Sequence, residues 1–369
     1  MRVRCNDCGT EAEFTLQGWR CTCGGAWEPA VLPCFEVGKI KPQEHSIWRY
    51  GELLGLDVSS PLKRMGVGWT PLVPVWLFDH DVRLKLEFLS PSGSFKDRGV
   101  NAMVNQLVQM GVQSVAEDSS GNAGASLAAH AARFGIRAEI YIPVYASLAK
   151  QHQIAVYGVE VKPIPGPRIA AEEAAQASVG LGKAYASHAY NPAYLAGQMT
   201  AAWELWEQLG KSVPDWIILP VAQGGQFLGY WFGFSRLVEA GLVERLPRLV
   251  AVQSAKIAPI HRAWTQGLDH IPAVEPGGST VAEGVSIPRP VRDQRILQAL
   301  RETDGRALAV TEAEILDAQQ QMAHLGYYIE PTSAVAVAGF RQLLDEIGEG
   351  EMVVLPLTGS GLKGAPQRN

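Results

Sequence analysis

Short apolar runs separated by longer stretches of helical period dominate the chain from about residue 82 onward. VRLKLEF at 82–88, SVAED at 114–118, AEIYIP at 138–143, EVKPI at 160–164 and AYASH at 184–188 have the length and composition of strands. Helices are predicted between them, up to about 111 and over 122–135, 146–158 and 168–181. The series resumes with a helix over 193–210, the strand DWIILPV at 215–221, a helix over 225–240, the strand LVAVQ at 249–253 and finally MVVLPLT at 352–358. Alternation of this kind predicts parallel sheets covered by helices on both faces, and the length fits two such sheets better than one. Residues 270–292 are rich in Pro and Gly without helical period, and read as a long loop over the surface or beside a site. No internal repeat or low-complexity tract is visible.

Composition narrows the classes. A chain of 369 residues, 47% hydrophobic and 19% charged, can bury two substantial cores and is too apolar to be disordered. With 32 basic against 37 acidic residues, and a net charge of -5, it lacks the basic surface that nucleic acid requires. No stretch approaches the roughly 20 apolar residues of a membrane span, and the start, with Arg2, Arg4 and a cysteine pair, does not resemble a secretory signal. A soluble cytoplasmic protein with no membrane partner is expected.

Four of the five cysteines fall in the first 23 residues, as Cys5-x-x-Cys8 and Cys21-x-Cys23. Short pairs in glycine-assisted turns can close a tetrahedral thiolate site, so structural zinc is the leading reading. The alternative is a head that keeps reduced thiols without metal. Four thiolates leave no open coordination position for catalysis. Cys34 lies outside the pattern.

Other residues carry candidate chemistry. Lys96, in SPSGSFKDRG at 90–99, follows a strand and opens a helix, where open α/β folds place ligands. Alone it reads as a solvated first-turn lysine. SSGNAG at 119–124 is a strand-to-helix turn suited to a ligand carboxylate or ring oxygen. Ala222, Gln223, Gly224, Gly225 and Gln226 follow another strand and open another helix, so their backbone N–H groups can cradle a phosphate. TGSG at 358–361 puts Thr358 where a hydroxyl could meet a ring nitrogen.

In this combination the chain resembles the pyridoxal-phosphate enzymes of the tryptophan-synthase β-subunit fold type, and within them the threonine synthases. The cysteine head, SFKDRG, SSGNAG, NPAYLAGQMT, PDWIILPVAQGGQ, TVAEGVSI, IEPTSAVAVAG and LTGSGLK occur in order over nearly the whole chain. The resemblance implies two parallel-sheet α/β domains with an N-terminal zinc knuckle: 1–36 the knuckle, 37–104 and 192–369 the large cofactor domain, 105–191 the small domain. It implies pyridoxal 5'-phosphate as cofactor, joined covalently to Lys96, with Asn122 at its ring oxygen, Ala222–Gln226 around its phosphate and Thr358 at its pyridine nitrogen. A lysine so placed can then remove the substrate's α-proton. A neutral hydroxyl at the ring nitrogen favours loss of a substituent over racemisation. Ser119, Ser120 and Gln198 are candidates for the substrate carboxylate; local turn capping and helix packing are their plainer readings. A homodimer is implied, and no further regulatory domain is expected after residue 363.

The pattern departs from the family where a threonine synthase must hold a substrate phosphate. The usual N-S-x-N-P-x-R-L-E-G-Q-K-T reads here His188-Ala189-Tyr190-Asn191-Pro192-Ala193-Tyr194-Leu195-Ala196-Gly197-Gln198-Met199-Thr200, so Tyr194 replaces the arginine and Met199 the lysine. Ala123 replaces a threonine, and Arg98, Arg168, His188, Arg289 and Arg292 are the substitute cations to look for. The leading expectation is threonine synthase or a close relative, converting O-phosphohomoserine to threonine and phosphate. The alternatives are a serine or threonine ammonia-lyase-like enzyme acting on an unphosphorylated hydroxy amino acid and, from another class, a non-catalytic cofactor-binding protein.

Overall fold

The computed structural model describes residues 1–60, 62–146, 148–180 and 182–364. Ser147, Leu181 and 365–369, on which the expected helices 146–158 and 168–181 and the domain end at 369 partly fall, lie outside the described residues.

The head is a three-stranded antiparallel sheet. In β1 (Arg2–Cys5) exposed arginines alternate with buried Val3 and Cys5, the period-two pattern of a strand with one covered face. It pairs on either side with β2 (Glu11–Glu13) and β3 (Trp27–Pro29). Val3, Cys5, Phe14, Cys21 and Trp27 make a small core of their own.

The chain divides into two compact units, the first comprising Met1–Gly68, Ser90–Gly197 and the described end from Lys363. Its sheet is wholly parallel, in the order β8 (Glu160–Ile164), β7 (Arg137–Pro143), β6 (Ser114–Glu117), β9 (Lys183–Tyr185). The helices are α1 (Lys96–Gln109), α2 (Asn122–Phe134), α3 (Leu148–Ala155), α4 (Arg168–Ala177) and the start of α5 (Pro192–Gln208). Every described residue of β6 is buried, as befits a strand covered on both faces. The core gathers Met103, Leu107, Val115, Leu127, Phe134 and Ile140 from α1, α2 and the sheet.

The second unit comprises Trp69–Leu89 and Gln198–Leu362. Its sheet runs β12 (Arg306–Val310), β11 (Arg248–Ser254), β10 (Trp216–Pro220), β13 (Val353–Pro356), β5 (His80–Lys85), β4 (Leu72–Leu77). All neighbours are parallel except the β4–β5 hairpin, so this sheet is mixed, not purely parallel as expected. β4 contains Pro74 in its interior, which an edge strand tolerates and the interior of a central strand does not. The helices are α6 (Gly225–Glu239), α7 (Pro259–Thr265), α8 (Asp293–Glu302), α9 (Glu312–His324) and α10 (Pro331–Gln342). Residues 270–292 are irregular apart from one 3-10 turn at Glu283–Val285.

The predicted strands are present with their ends shifted by three residues or fewer, while β1 to β4, β12 and α7 to α10 were not predicted. The units also cut the chain differently from the expected domains. Residues 37–68 and 90–104 belong with the four-stranded sheet, because α1 packs against α2 and shares its core. Among the described residues no helix is long and apolar enough to cross a membrane.

Candidate active site

In the first unit the site begins at the turn before α1. Phe95, the residue ahead of that helix, supplies no side-chain cap. The order comes instead from buried Asp97, which accepts from the Ser92 N–H at 2.7 Å, from the Ser92 hydroxyl at 2.5 Å and from the Ser126 hydroxyl of α2. Asp97 thereby ties the preceding loop and the second helix to the first turn of α1, where Lys96 stands half-buried. The Lys96 Nζ lies 4.8 Å from the Phe95 ring centre and 5.9 Å from that of Tyr194.

Asn122 is the first residue of α2, reached through half-buried Ser119 and Ser120. The turn closes so tightly that a Cβ at position 124 would sit 1.9 Å from the Ser119 carbonyl oxygen, which only Gly124 avoids. The Ser119 hydroxyl accepts from the Gly121 N–H at 3.3 Å, the local turn bond that was its plainer reading. Tyr194 is buried, its ring lying where a side chain at Gly99 would be, and Ala123 is buried as well.

In the second unit, Ala222, Gln223 and Gly224 form the turn from β10 into α6, which starts at Gly225. Gly224 has φ +80° and no room for a Cβ against Ile296, so the turn requires glycine. Gly224 has no side chain to cap this helix, so its first N–H groups could meet a ligand. Gln226, on the first turn of that helix, is buried with both amide atoms lacking a partner among the described residues. Gln223 is engaged, accepting from the Val291 N–H at 2.9 Å. β13 neighbours β10, so Thr358 and Ala222 stand at the carboxyl ends of adjacent parallel strands. The Thr358 hydroxyl is fully buried and 2.8 Å from that of Ser333, on the first turn of α10. Gln198 is wholly buried, and it belongs to this unit whereas Ser119 and Ser120 belong to the first.

The expected substitute cations are accounted for. Arg98 and Arg292 are buried and Arg289 is exposed. Arg168 donates to Asp118 at 3.2 Å, and His188 Nδ1 meets Glu117 at 2.7 Å. Met199 is buried.

In the head, the sulfurs of Cys5, Cys8, Cys21 and Cys23 all lie within 4.8 Å of one another, with Cys5–Cys23 at 3.4 Å and Cys8–Cys21 at 3.6 Å. Four sulfurs around a tetrahedral zinc, at Zn–S of about 2.3 Å, stand roughly 3.8 Å apart, so the donor set fits such an ion in type and in spacing.

Asp97, Ser333 and Glu117 went unassigned from the sequence, although the first two lie inside the motifs SFKDRG and IEPTSAVAVAG.

Comparison with known proteins gives these features a family. Residues 63–359 match the family model described as pyridoxal-phosphate dependent enzyme. The threonine synthase of Methanocaldococcus jannaschii is 33% identical, covering 98% of this chain and 93% of its own. That of Synechocystis sp. is 36% identical, covering 90% and 88%. Among solved structures, a T.th. threonine deaminase superposes with a TM-score of 0.68 at 26% identity, covering 80% of this chain and 94% of that one. A fungal L-serine ammonia-lyase from Rhizomucor miehei shares the fold, at a TM-score of 0.69 and 24% identity over 79% of this chain and 93% of that one. With a family match over most of its length, the chain belongs to the pyridoxal-phosphate-dependent enzymes.

Proposed function

We propose that this enzyme is a threonine-synthase-like lyase that breaks a carbon–oxygen bond of a small amino-acid substrate. The observation that carries the reading is the buried Ser333–Thr358 hydroxyl pair, which offers the cofactor's ring nitrogen a neutral partner. Pyridoxal phosphate, when bound, supplies the electron sink. The orphaned amide of Gln226 and the uncapped turn Ala222–Gly225 suit its phosphate, Asn122 its ring oxygen, and Lys96 its covalent attachment. The Lys96 Nζ is then the base for the substrate's α-proton. Ser119, Ser120 and Gln198 are assigned to the substrate carboxylate.

The curated relatives named threonine synthase support O-phosphohomoserine as substrate, with threonine and phosphate as products. A second reading, elimination from an unphosphorylated hydroxy amino acid, is favoured by buried Tyr194 and Met199 and by the acidic side chains that already engage Arg168 and His188. Moving a phosphate dianion into a pocket without a charged partner costs several kcal/mol. The test is a panel of O-phosphohomoserine, threonine, serine, O-phosphoserine and O-acetylserine, followed by phosphate release and keto-acid formation. Efficient threonine formation from O-phosphohomoserine, unimproved by Tyr194→Arg, selects the first reading; keto acid from serine or threonine with little phosphate release selects the second.

Cys5, Cys8, Cys21 and Cys23 are assigned to a structural zinc ion, the sulfur spacing being the support. A cytoplasmic homodimer completes the proposal.

A further inference from the structure

Two acids close β6, and they are treated differently. Asp118 receives the Tyr185 hydroxyl at 2.6 Å and the Arg168 guanidinium at 3.2 Å. Glu117 is 1% exposed, and its Oε1 meets His188 Nδ1 at 2.7 Å. Its Oε2 is buried with no hydrogen-bond partner among the described residues. A bare carboxylate is costly in such a place, so the contact is best made with a proton in it. Burial foremost, then the Asp118 charge, hold the Glu117 carboxyl well above the usual carboxylate range. Burial foremost, then Lys96 and Arg168, hold the His188 imidazole well below its usual range. With Glu117 as donor to Nδ1, the remaining proton of a neutral imidazole sits on Nε2.

The pair also stands in the right neighbourhood. β6 and β9 are adjacent parallel strands, and Glu117 and His188 lie at their carboxyl ends, where open α/β sheets take ligands. Glu117 directly precedes the Asp118-Ser119-Ser120 run into α2. The Tyr194 ring has His188 on one side at 6.0 Å, centre to centre, and the Lys96 Nζ 5.9 Å from its centre.

We propose that Glu117 and His188 form a proton relay that protonates the departing hydroxyl of an unphosphorylated hydroxy amino acid, an inference that rests on the second reading above. The α-proton passes to the Lys96 Nζ and its electron pair forms the Cα–Cβ double bond. The Cβ–O bond breaks with its pair on oxygen. His188 Nε2–H gives its proton to that oxygen, releasing water, as the Glu117 proton moves to Nδ1. Lys96 ends as ammonium and Glu117 as carboxylate, so charge is conserved. Hydroxide is a poor leaving group without such a proton, whereas phosphate or chloride departs unaided.

The leaving group therefore supplies the test. Wild type, His188→Gln and Glu117→Gln, each loaded with cofactor as judged by absorbance, are compared on L-serine and on β-chloro-L-alanine by keto-acid formation. Exchange of the α-proton in D2O is followed by NMR. Loss of a general acid should slow serine turnover about a hundredfold or more while chloroalanine turnover stays within about threefold and α-proton exchange persists. Equal losses on both substrates, or no loss on serine, overturn the relay. If His188→Gln does not fold, the same ratio is read in Glu117→Gln, which preserves the shape of the side chain. A wild type that makes threonine from O-phosphohomoserine and spares every unphosphorylated amino acid instead overturns the second reading, and the relay with it.

Discussion

Lys96 stands on the first turn of its helix, and the side chain that fixes it is the next one along. Asp97 gathers three donors from a loop and a neighbouring helix, whereas Lys96 is half-buried and packs against aromatic rings. The two should therefore fail in opposite ways. Lys96→Ala is expected to abolish turnover and the cofactor's absorbance near 410–430 nm, roughly where protonated pyridoxal imines absorb, at a stability cost within about 0.5–1 kcal/mol. Asp97→Ala leaves a buried N–H and two hydroxyls without their acceptor and should cost about 2–4 kcal/mol. Urea titration beside an absorbance spectrum separates them, and the assignment of Lys96 fails if Lys96→Ala keeps its activity. The turns that hold Lys96 and Asn122 were legible from their local residues, while the roles proposed for these side chains came from the resemblance. Asp97 with Ser126, Ser333 with Thr358 and Glu117 with His188 join positions 29, 25 and 71 residues apart, and such pairing leaves no local pattern to read.

Among the elements, the parallel strands stood out as apolar runs and most helices as the stretches between them. α10 was not among them: Ser333 to Phe340 are buried without interruption, so no polar face marks the helix, and its segment stood out only as a motif. β12 is RALAV, whose two alanines and single valine give little strand signature, and β4 carries the proline that suits an edge. α9 is nearly the reverse of α10, with few buried residues, and its start is marked by the Thr311–Glu314 capping box. The head is an element of another sort, a small sheet whose cysteines complete what its core cannot. Its loop reaches the four-stranded sheet through Trp19, set edge-on to Tyr185 at 4.8 Å and to Tyr190 at 5.0 Å, with Arg20 over the indole at 4.7 Å. Cys8→Ser is expected to abolish bound zinc and to make residues 1–30 sensitive to protease, while leaving most of the cofactor absorbance, since the cofactor turns lie elsewhere in the chain. Wild-type protein purified without zinc would end the metal assignment.

For the molecule as a whole, acid should act first through carboxylates that the fold holds ionised. Glu312 is the clearest in the second unit. Burial alone would raise its pKa, but the Val281 N–H and the hydroxyls of Ser254 and Thr280 outweigh that and lower it from the usual 4.5. A depressed folded-state pKa contributes stability that is fully present above the unfolded value and fades as pH falls through the folded one. The urea midpoint should therefore drop below about pH 4.5, and Glu312→Gln should start lower at neutral pH and fall less steeply with acid. A variant with an unchanged acid limb would show that Glu312 carries no part of it.

The strand order sets a timetable for synthesis. All four strands of the first unit's sheet lie between residues 114 and 185, so that sheet can close soon after they leave the ribosome. The other cannot. β13 stands between β10 and β5, and Val353 is the register partner of Val82. At translation rates of about 5–20 residues per second the β4–β5 hairpin waits roughly a quarter of a minute to a minute with one edge bare. Over that interval its unpaired backbone is open to chaperones and to other nascent chains, so substitutions that make this hairpin stickier should lower the yield of folded enzyme.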